Sequence, residues 1–221
     1  MKIRISAAIL AFTLIFSLFT ACKNEPEPEP ASQYSDEEAA QVKENFSHID
    51  SQLNLAESAT AAENPSDFKA AVENSESDIA SYSGTEDISV AMGSKIEKTV
   101  AIDTTGSVSI GSEMSSVVIT RADGGFSANA KIDSIVFQGT DITADITSET
   151  GSIYVKGKNI TINVRNSAVE KIFVNNIYTT INNITDTEIH VTLTNGSKVR
   201  VPAQTTYNAI NNTIQKYTPA E

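Results

Sequence analysis

The chain has 221 residues, a formal net charge of −12, a single cysteine and no tryptophan. This length accommodates one domain with an appendage. The acidity argues against nucleic acid as a partner, because phosphate binding needs a basic face and the sequence shows none. His48 and His190 are the only histidines, too few for a histidine-based metal cluster or catalytic triad, so we predict no metal and no cofactor.

The first residues predict a secretory signal peptide. Lys2 and Arg4 supply a positive n-region, and the apolar run AAILAFTLIFSLF is too short and wrongly flanked for a membrane-spanning helix. The segment ends in FTAC, at Cys22. This ending resembles the bacterial lipobox, in which small residues precede a cysteine that is acylated, although Phe19 stands where leucine is usual. The resemblance implies a signal peptide over 1–21 and a lipid on Cys22.

Such a lipid would attach the chain to the membrane and place it in the bacterial cell envelope, at the outer membrane or the cell surface. The alternative is ordinary cleavage near Ala21, which would leave one unpaired thiol in an oxidising compartment. Residues 22–34 include KNEPEPEPASQ, which favours extended polyproline II over a packed core. We read them as a tether that holds the folded part roughly 20–30 Å from the bilayer.

Residues 35–83 predict an α-helical hairpin. The first helix, over 36–62, begins with a capping box at Ser35 and Glu38. The second, over 65–82, begins with Pro65 at its first position. The apolar stripes of the two helices are Val42, Phe46, Ile49 and Leu53, then Phe68, Val72, Ile79 and Tyr82.

Both stripes are narrow, so the hairpin needs a third surface to bury them. That surface could be the rest of the chain or other copies in a coiled coil, which would make the protein an oligomer. Disorder until a partner binds is the remaining alternative. The acidity is concentrated here, because residues 23–97 carry 17 acids against 4 bases whereas residues 98–221 carry 11 against 10.

A repeat of about 18 residues begins near residue 98. Each unit contains an apolar triplet and, 7–10 residues later, a second alternating run, with turn-forming residues between them. The triplets are VAI 100–102, VVI 117–119, IVF 135–137, IYV 153–155, IFV 172–174 and IHV 189–191. The second runs are VSI 108–110, FSANA 126–130, ITADI 142–146, ITINV 160–164, YTTINNI 178–184 and VRV 199–201.

This period predicts a mainly β fold, a parallel β-solenoid of about six turns over 98–204. The outer members of the triplets would stack inward as two columns, the first running Val100, Val117, Ile135, Ile153, Ile172 and Ile189. The second column would run Ile102, Ile119, Phe137, Val155, Val174 and Val191. The alternative is an antiparallel β-sandwich, since strands about every nine residues also suit hairpins.

The repeat resembles bacterial β-helix and solenoid lipoproteins, including adhesin-like domains written as GSxxV-x-V repeats. The resemblance covers about residues 98–201 and rests on the pattern, without a signature residue. It implies a solenoid architecture; the non-enzymatic binding role is motivated instead by the lipobox, the tether, the rigid stack and the lack of a catalytic set of residues.

The middle members of the triplets should point outward. They are Ala101, Val118, Val136, Tyr154, Phe173 and His190. An exposed apolar strip usually marks a contact surface, and two explanations are open. The helical hairpin could cover the strip, or Tyr154, Phe173 and His190 could form a recognition strip.

The end of the chain predicts a cap over 205–221. Tyr207, Ile210, Ile214 and Tyr217 follow at spacings of three, four and three, which favours a short amphipathic helix across the last turn. Such a cap would protect the stack from edge-to-edge growth.

The sequence therefore favours a membrane-anchored, non-enzymatic lipoprotein that binds a protein or glycan or serves a structural role. One alternative is a small β-helix enzyme acting on carbohydrate through Asp133, Asp141 and Asp145, which fall in one repeat and could also hold Ca²⁺. The other alternative is an assembly module that oligomerises through the N-terminal helices.

Overall fold

Two β-sheets lie face to face across one apolar core in a computed structural model of the chain. The structure describes residues 32, 33, 44, 49–51, 53, 54 and 56–219, all within one compact unit, Ala31–Glu221. Sheet A has nine strands, in the spatial order β1 (Ser32–Gln33), β15 (Ser197–Val201), β14 (Ile189–Leu193), β12 (Val169–Val174), β10 (Thr150–Val155), β8 (Ile132–Phe137), β6 (Met114–Ala122), β4 (Ile96–Thr104) and β2 (Ile79–Gly84). Sheet B has eight, in the order β17 (Thr213–Lys216), β16 (Thr205–Asn208), β13 (Thr179–Asn183), β11 (Ile160–Val164), β9 (Thr143–Ile146), β7 (Phe126–Ala128), β5 (Val108–Ile110) and β3 (Ile88–Val90).

Each turn of the chain adds one strand to sheet A and the next strand to sheet B. Six complete turns, from β2–β3 to β12–β13, pair in parallel with their neighbours. The predicted parallel β-solenoid of about six turns is confirmed, and the antiparallel sandwich is wrong. One repeat of about 18 residues contains two strands, because each turn of the chain forms one strand in sheet A and one in sheet B before the next turn begins.

The core consists of like side chains stacked turn upon turn. Ile153 pairs with Ile135 on one side and Ile172 on the other, and all three are fully buried or nearly so. β-Branched side chains suit this arrangement, because their shape fits the pleat and repeats every turn. In sheet B the inward column runs Ile88, Val108, Phe126, Ala144, Ile162 and Ile181. Phe126 contacts Phe137 of sheet A edge to face, with ring centroids 5.4 Å apart.

The stack begins about one turn earlier than the sequence predicts. The helix predicted over 65–82 ends at Asn74, and Ile79–Gly84 forms β2 instead. Ala80 and Tyr82 face the core here, aligned with Val100 and Ile102. Ile79 and Tyr82 are three residues apart, which matches a helical stripe, but the two-residue alternation of Ala80 and Tyr82 determines the outcome.

The last predicted turn differs from the six complete turns that precede it. Val191, rather than Ile189, pairs with Ile172, so β14 is displaced by two residues from the predicted register. The run VRV 199–201 belongs to β15, which pairs antiparallel with β14 in sheet A instead of continuing sheet B. A displacement of two residues keeps the same side chains inward, so the apolar pattern cannot distinguish the two registers.

A short helix closes the N-terminal end of the stack. Helix α1 (Pro65–Asn74) begins at Asn64, whose side chain accepts a hydrogen bond from the backbone of Asp67 at 2.9 Å. Phe68 and Val72 are buried against the first turn, and the ring of Phe68 lies 5.6 Å from that of Tyr82. The predicted start of this helix is confirmed.

A β-hairpin closes the C-terminal end, so the predicted helical cap over 205–221 is wrong. β16 pairs antiparallel with β13, and β17 pairs antiparallel with β16. Tyr207 is fully buried and lies opposite both Ile181 and Ile214. The turn between the strands uses Asn212 at a φ of 49°, a conformation that asparagine tolerates better than most residues.

Candidate ligand-binding face

The outward strip of sheet A is covered by an N-terminal helical segment, which we define as the described helical residues between 44 and 58. Ile49 and Leu53 of this segment are buried in a second apolar cluster, separate from the main core. The strip side of that cluster comprises Ala101, Val118, Val136, Tyr154 and Phe173. The rings of Tyr154 and Phe173 stack with centroids 4.9 Å apart and planes 9° from parallel. The helical segment therefore covers the strip, which was the first of the two explanations open from the sequence.

Polar contacts fix the register of this segment on the sheet. Asp50 forms an ion pair with Lys156, and Gln138 donates a hydrogen bond from Nε2 to Glu57 Oε1 at 3.1 Å. The chain then reaches Ala62, whose backbone N–H donates to Ser81 O at 2.8 Å and extends sheet A beyond β2. At the opposite edge, β1 pairs with β15. The described parts of the N-terminal chain thus contact both edges of sheet A.

The three residues of the predicted recognition strip do not form one exposed surface. Tyr154 and Phe173 are 7% and 4% exposed, and burial raises the pKa of the Tyr154 hydroxyl, partly offset by its hydrogen bond with Ser152. His190 is exposed, lies opposite Arg200, and contacts Glu188 Oε1 at 3.0 Å. Since β14 is displaced by two residues, Thr192 and not His190 pairs with Phe173.

The helix stripe that could have driven a coiled coil is likewise used within the chain. Ile49 and Leu53 are buried against sheet A. Val42 and Phe46, the other two members of the predicted stripe, lie outside the described residues, as do Cys22 and most of the predicted tether, of which only Ser32–Gln33 is described and forms β1.

The outward face of sheet B is polar and carries continuous ranks of side chains. One rank runs Ser89, Ser109, Ser127, Asp145, Asn163, Asn182 and Thr206. Within it, Asn163 donates to Asp145 Oδ1 at 3.3 Å, Asn182 to Asn163 Oδ1 at 2.7 Å, and Thr206 to Asn182 Oδ1 at 2.8 Å. Each amide donates its hydrogen bond to the side chain of the preceding turn, which orders these side chains before any ligand arrives.

A shallow groove of about 330 Å³ opens on this face, across the second, third and fourth turns. Ser109, Ser127 and Thr143 supply hydroxyl groups, and Asp123 and Asp141 supply carboxylates. Gly124 allows the turns to approach closely at the groove wall, since a Cβ there would lie 2.7 Å from Ser107 N. The groove therefore presents acceptors and hydroxyl donors, a lining that suits a hydroxyl- or ammonium-bearing ligand.

Asp87 and Arg165 hold the surroundings of the groove in place. Asp87 Oδ1 accepts two hydrogen bonds from Ser107, one from the backbone N–H at 2.7 Å and one from the hydroxyl at 2.8 Å. These bonds lower the pKa of the Asp87 carboxyl. Arg165 Nε lies 2.8 Å from Asp145 Oδ1 and neutralises that carboxylate. Asp141 adopts a φ of 58° and accepts a hydrogen bond from Asn159 at 2.7 Å.

Asp133, Asp141 and Asp145 do not converge. Asp133 lies on β8 of sheet A and forms an ion pair with Lys95 at 2.9 Å, whereas Asp141 and Asp145 line the sheet B groove. Among the residues that the structure describes, no group of three or more His, Cys, Asp or Glu side chains is arranged to hold a metal ion. Asp123 was not predicted as a groove residue, although its separation of 18 residues from Asp141, one turn of the stack, was a signal for it.

Comparison with protein-family models, curated proteins and solved structures found no match to this chain. Within the described part of the chain, no helix has the length and apolar character needed to cross a membrane.

Proposed function

We propose that the protein is a lipid-anchored, non-enzymatic binding module of the bacterial cell envelope. Acylated Cys22 is its membrane anchor, the segment after it is a tether, and the solenoid is a rigid platform that presents a protein or glycan ligand site. The anchor is motivated by the FTAC ending of the signal-like segment.

The observation that carries the binding role is the difference between the two outward faces. Sheet A buries its apolar strip beneath the chain's own helical segment, whereas sheet B leaves an ordered polar face with a groove. Asn129 donates to Ser109 and Ser127, and Asn163 donates to Asp145, so these groove side chains are held in place and the entropy that a ligand must offset on binding is reduced.

Site-specific photo-crosslinking in intact cells tests the role of the groove. Asp123 is exposed in the groove, and Glu76 is exposed in the loop between α1 and β2. We expect Asp123→p-benzoylphenylalanine to give a discrete adduct with an envelope protein or glycan, and Glu76→p-benzoylphenylalanine to give none. Equal capture at the two positions, or capture at neither, would contradict a binding role for this face.

The anchor is tested separately by mass spectrometry of the N-terminal peptide. Cys22 carrying acyl chains supports the proposal, and Cys22→Ala should release the protein from the membrane fraction. An unmodified Cys22 thiol on the membrane-bound protein would contradict it.

A further inference from the structure

The C-terminal end of the stack carries the largest exposed apolar side chains among the described residues. Ile177 and Tyr178, in the turn between β12 and β13, are 58% and 42% exposed, and Ile210, in the turn between β16 and β17, is 47% exposed. The hydrogen bond from Ala209 N to Thr179 O, 3.0 Å long, continues the antiparallel ladder and brings Ile210 beside Tyr178. We call Ile177, Tyr178 and Ile210 the corner patch.

A cation lies at the corner patch. Lys158 Nζ lies 4.8 Å from the centroid of the Tyr178 ring. A tyrosine flanked by aliphatic side chains and a lysine combines an apolar body with polar tips, and such groups are favoured where a bilayer meets water.

Charge is distributed unevenly along the stack. Residues 61–149, which form α1 and the turns up to β9, carry 15 acids and 5 bases, a net charge of −10. Residues 150–219, which form the remaining turns and the C-terminal hairpins, carry 3 acids and 7 bases, a net charge of +4, which Asp50 of the helical segment reduces to +3 through its ion pair with Lys156. The two ends of the molecule therefore differ in sign, and an anionic surface attracts the end that bears the corner patch.

The chain also enters the fold at this corner. Ser32 of β1 pairs with Lys198 of β15, and the turn between β14 and β15 bonds to the end of β12 through Thr194 N and Val174 O, 3.2 Å apart. β1 and β12 are three strand spacings apart, about 14 Å. Nine residues lie between Cys22 and Ser32, so the intervening chain can span at most about 35 Å.

The geometry points to an anionic lipid surface as the occupant of this end. The corner patch inserts among the headgroups, the basic C-terminal turns face the anionic lipid, and the acidic N-terminal turns point away from the membrane. This inference deepens the proposed function and rests on it for the anchor, whereas the patch and the charge distribution are independent of the anchor. The orientation leaves the groove open, with its nearest wall, at Asp141 in the fourth turn, about 10 Å from the sixth turn that carries Tyr178.

Tryptophan fluorescence of the full chain in vesicles tests the inference, and the chain has no tryptophan of its own. Single variants Ile177→Trp and Ile210→Trp place the probe in the corner patch. Ser89→Trp is the matched control, because Ser89 is exposed on sheet B in the first turn, at the opposite end of the stack. The vesicles contain phosphatidylcholine with or without phosphatidylglycerol, and brominated lipids serve as quenchers.

We expect the emission of both patch probes to shift to the blue and to be quenched in the phosphatidylglycerol vesicles, with a loss of quenching at high salt. The Ser89→Trp emission should not change. Quenching of the patch probes no greater than that of the control would overturn the inference. A blue shift that appears without lipid as protein concentration rises would also overturn it, because the patch would then join copies of the chain.

The failure of this inference and that of the anchor are distinguishable. The mass of the N-terminal peptide reports on acylation of Cys22 whatever the probes show. If Cys22 is not acylated, the same probes titrated with phosphatidylglycerol vesicles still report whether the corner patch enters the bilayer.

Discussion

Gly139 and Gly157 show how closely successive turns approach one another at a corner of the stack. A Cβ on Gly139 would lie 1.9 Å from Thr120 O, and one on Gly157 would lie 1.9 Å from Gly139 O. Both conflicts are with backbone atoms, which cannot move without separating the turns. Glycine is required at both positions because there is no space for a Cβ atom.

We therefore expect Gly139→Ala to lower the free energy of unfolding by about 2–3 kcal/mol, as overpacking against backbone does. Urea denaturation measures the change. Gly93→Ala is the matched control, since nothing lies within 4 Å of a Cβ at that position, and it should change the stability by less than about 0.5 kcal/mol. Equal effects of the two substitutions would show that the turns can separate at this corner.

Tyr207 makes stability depend on pH at the alkaline end. Burial raises the pKa of its hydroxyl above the ordinary value of 10.0. The folded state therefore favours the neutral phenol, and this contribution to stability is complete below pH 10.0 and is lost as the pH rises through the raised pKa. Tyr207→Phe should weaken the alkaline fall in stability, measured by urea unfolding at neutral pH and above pH 10.0.

The same substitution removes the hydrogen bond from the Tyr207 hydroxyl to Asn212 Oδ1, 3.2 Å long, so a loss of about 1 kcal/mol at neutral pH is expected as well. An unchanged fall in Tyr207→Phe would assign the pH dependence to other groups.

At the scale of elements, the N-terminal helical segment depends on few contacts. Ile49 and Leu53 supply its buried apolar side chains among the described residues, with Ala56 partly buried. Leu53→Asp should weaken the docking of the segment on sheet A by about 2–4 kcal/mol, so that the segment is released. The β-sheet signal in circular dichroism should not change. Binding of a hydrophobic dye should increase, because the stacked rings of Tyr154 and Phe173 become accessible.

Asn54→Asp adds the same charge at the neighbouring, exposed position and should not increase dye binding. If Leu53→Asp instead unfolds the whole protein, the helical segment is an integral part of the stack. If dye binding stays at the level of Asn54→Asp, the strip remains covered without this contact.

The elements also show what the sequence could predict. The stacked triplets from Val100 to Val174 were identifiable because β-branched side chains recur about every 18 residues over five turns. The C-terminal hairpin was not identifiable, and of the N-terminal cap only the start of α1 was predicted. Asn183 occupies the inward position held by Val164 in the preceding turn, is fully buried, and donates to Thr187 O, Val201 O and Pro202 O at 2.8–3.0 Å.

A periodic sequence pattern does not predict such a buried asparagine, because its hydrogen-bond partners lie in loops whose conformations depend on the complete fold. Part of the candidate groove was identified through Asp141 and Asp145, whereas Asp133 was placed wrongly. Two carboxylates in one repeat can lie on opposite sheets, so proximity in sequence is a poor guide to proximity within a solenoid turn.

At the scale of the whole molecule, each end of sheet B is protected differently. β3 is a strand of only three residues at the N-terminal edge, and the β16–β17 hairpin covers β13 at the other. A chain ending at Pro202 would lose Tyr207 and leave the parallel edge of β13 open to other copies. We expect it to form oligomers in sedimentation velocity, whereas a chain ending at Tyr217 should sediment like the parent protein. A monomeric chain ending at Pro202 would contradict a protective role for the hairpin.

The pairing of β1 with β15 has a consequence for the order of assembly. Ser32 and Gln33 find their partners at Lys198 and Ser197, so a contact spanning most of the sequence closes the fold. During synthesis, these early residues emerge long before their partners exist. The first part of the folded region to leave the ribosome is thus among the last to form its contacts, and the helical segment likewise gains its aromatic partners only after Tyr154 and Phe173 have been synthesised.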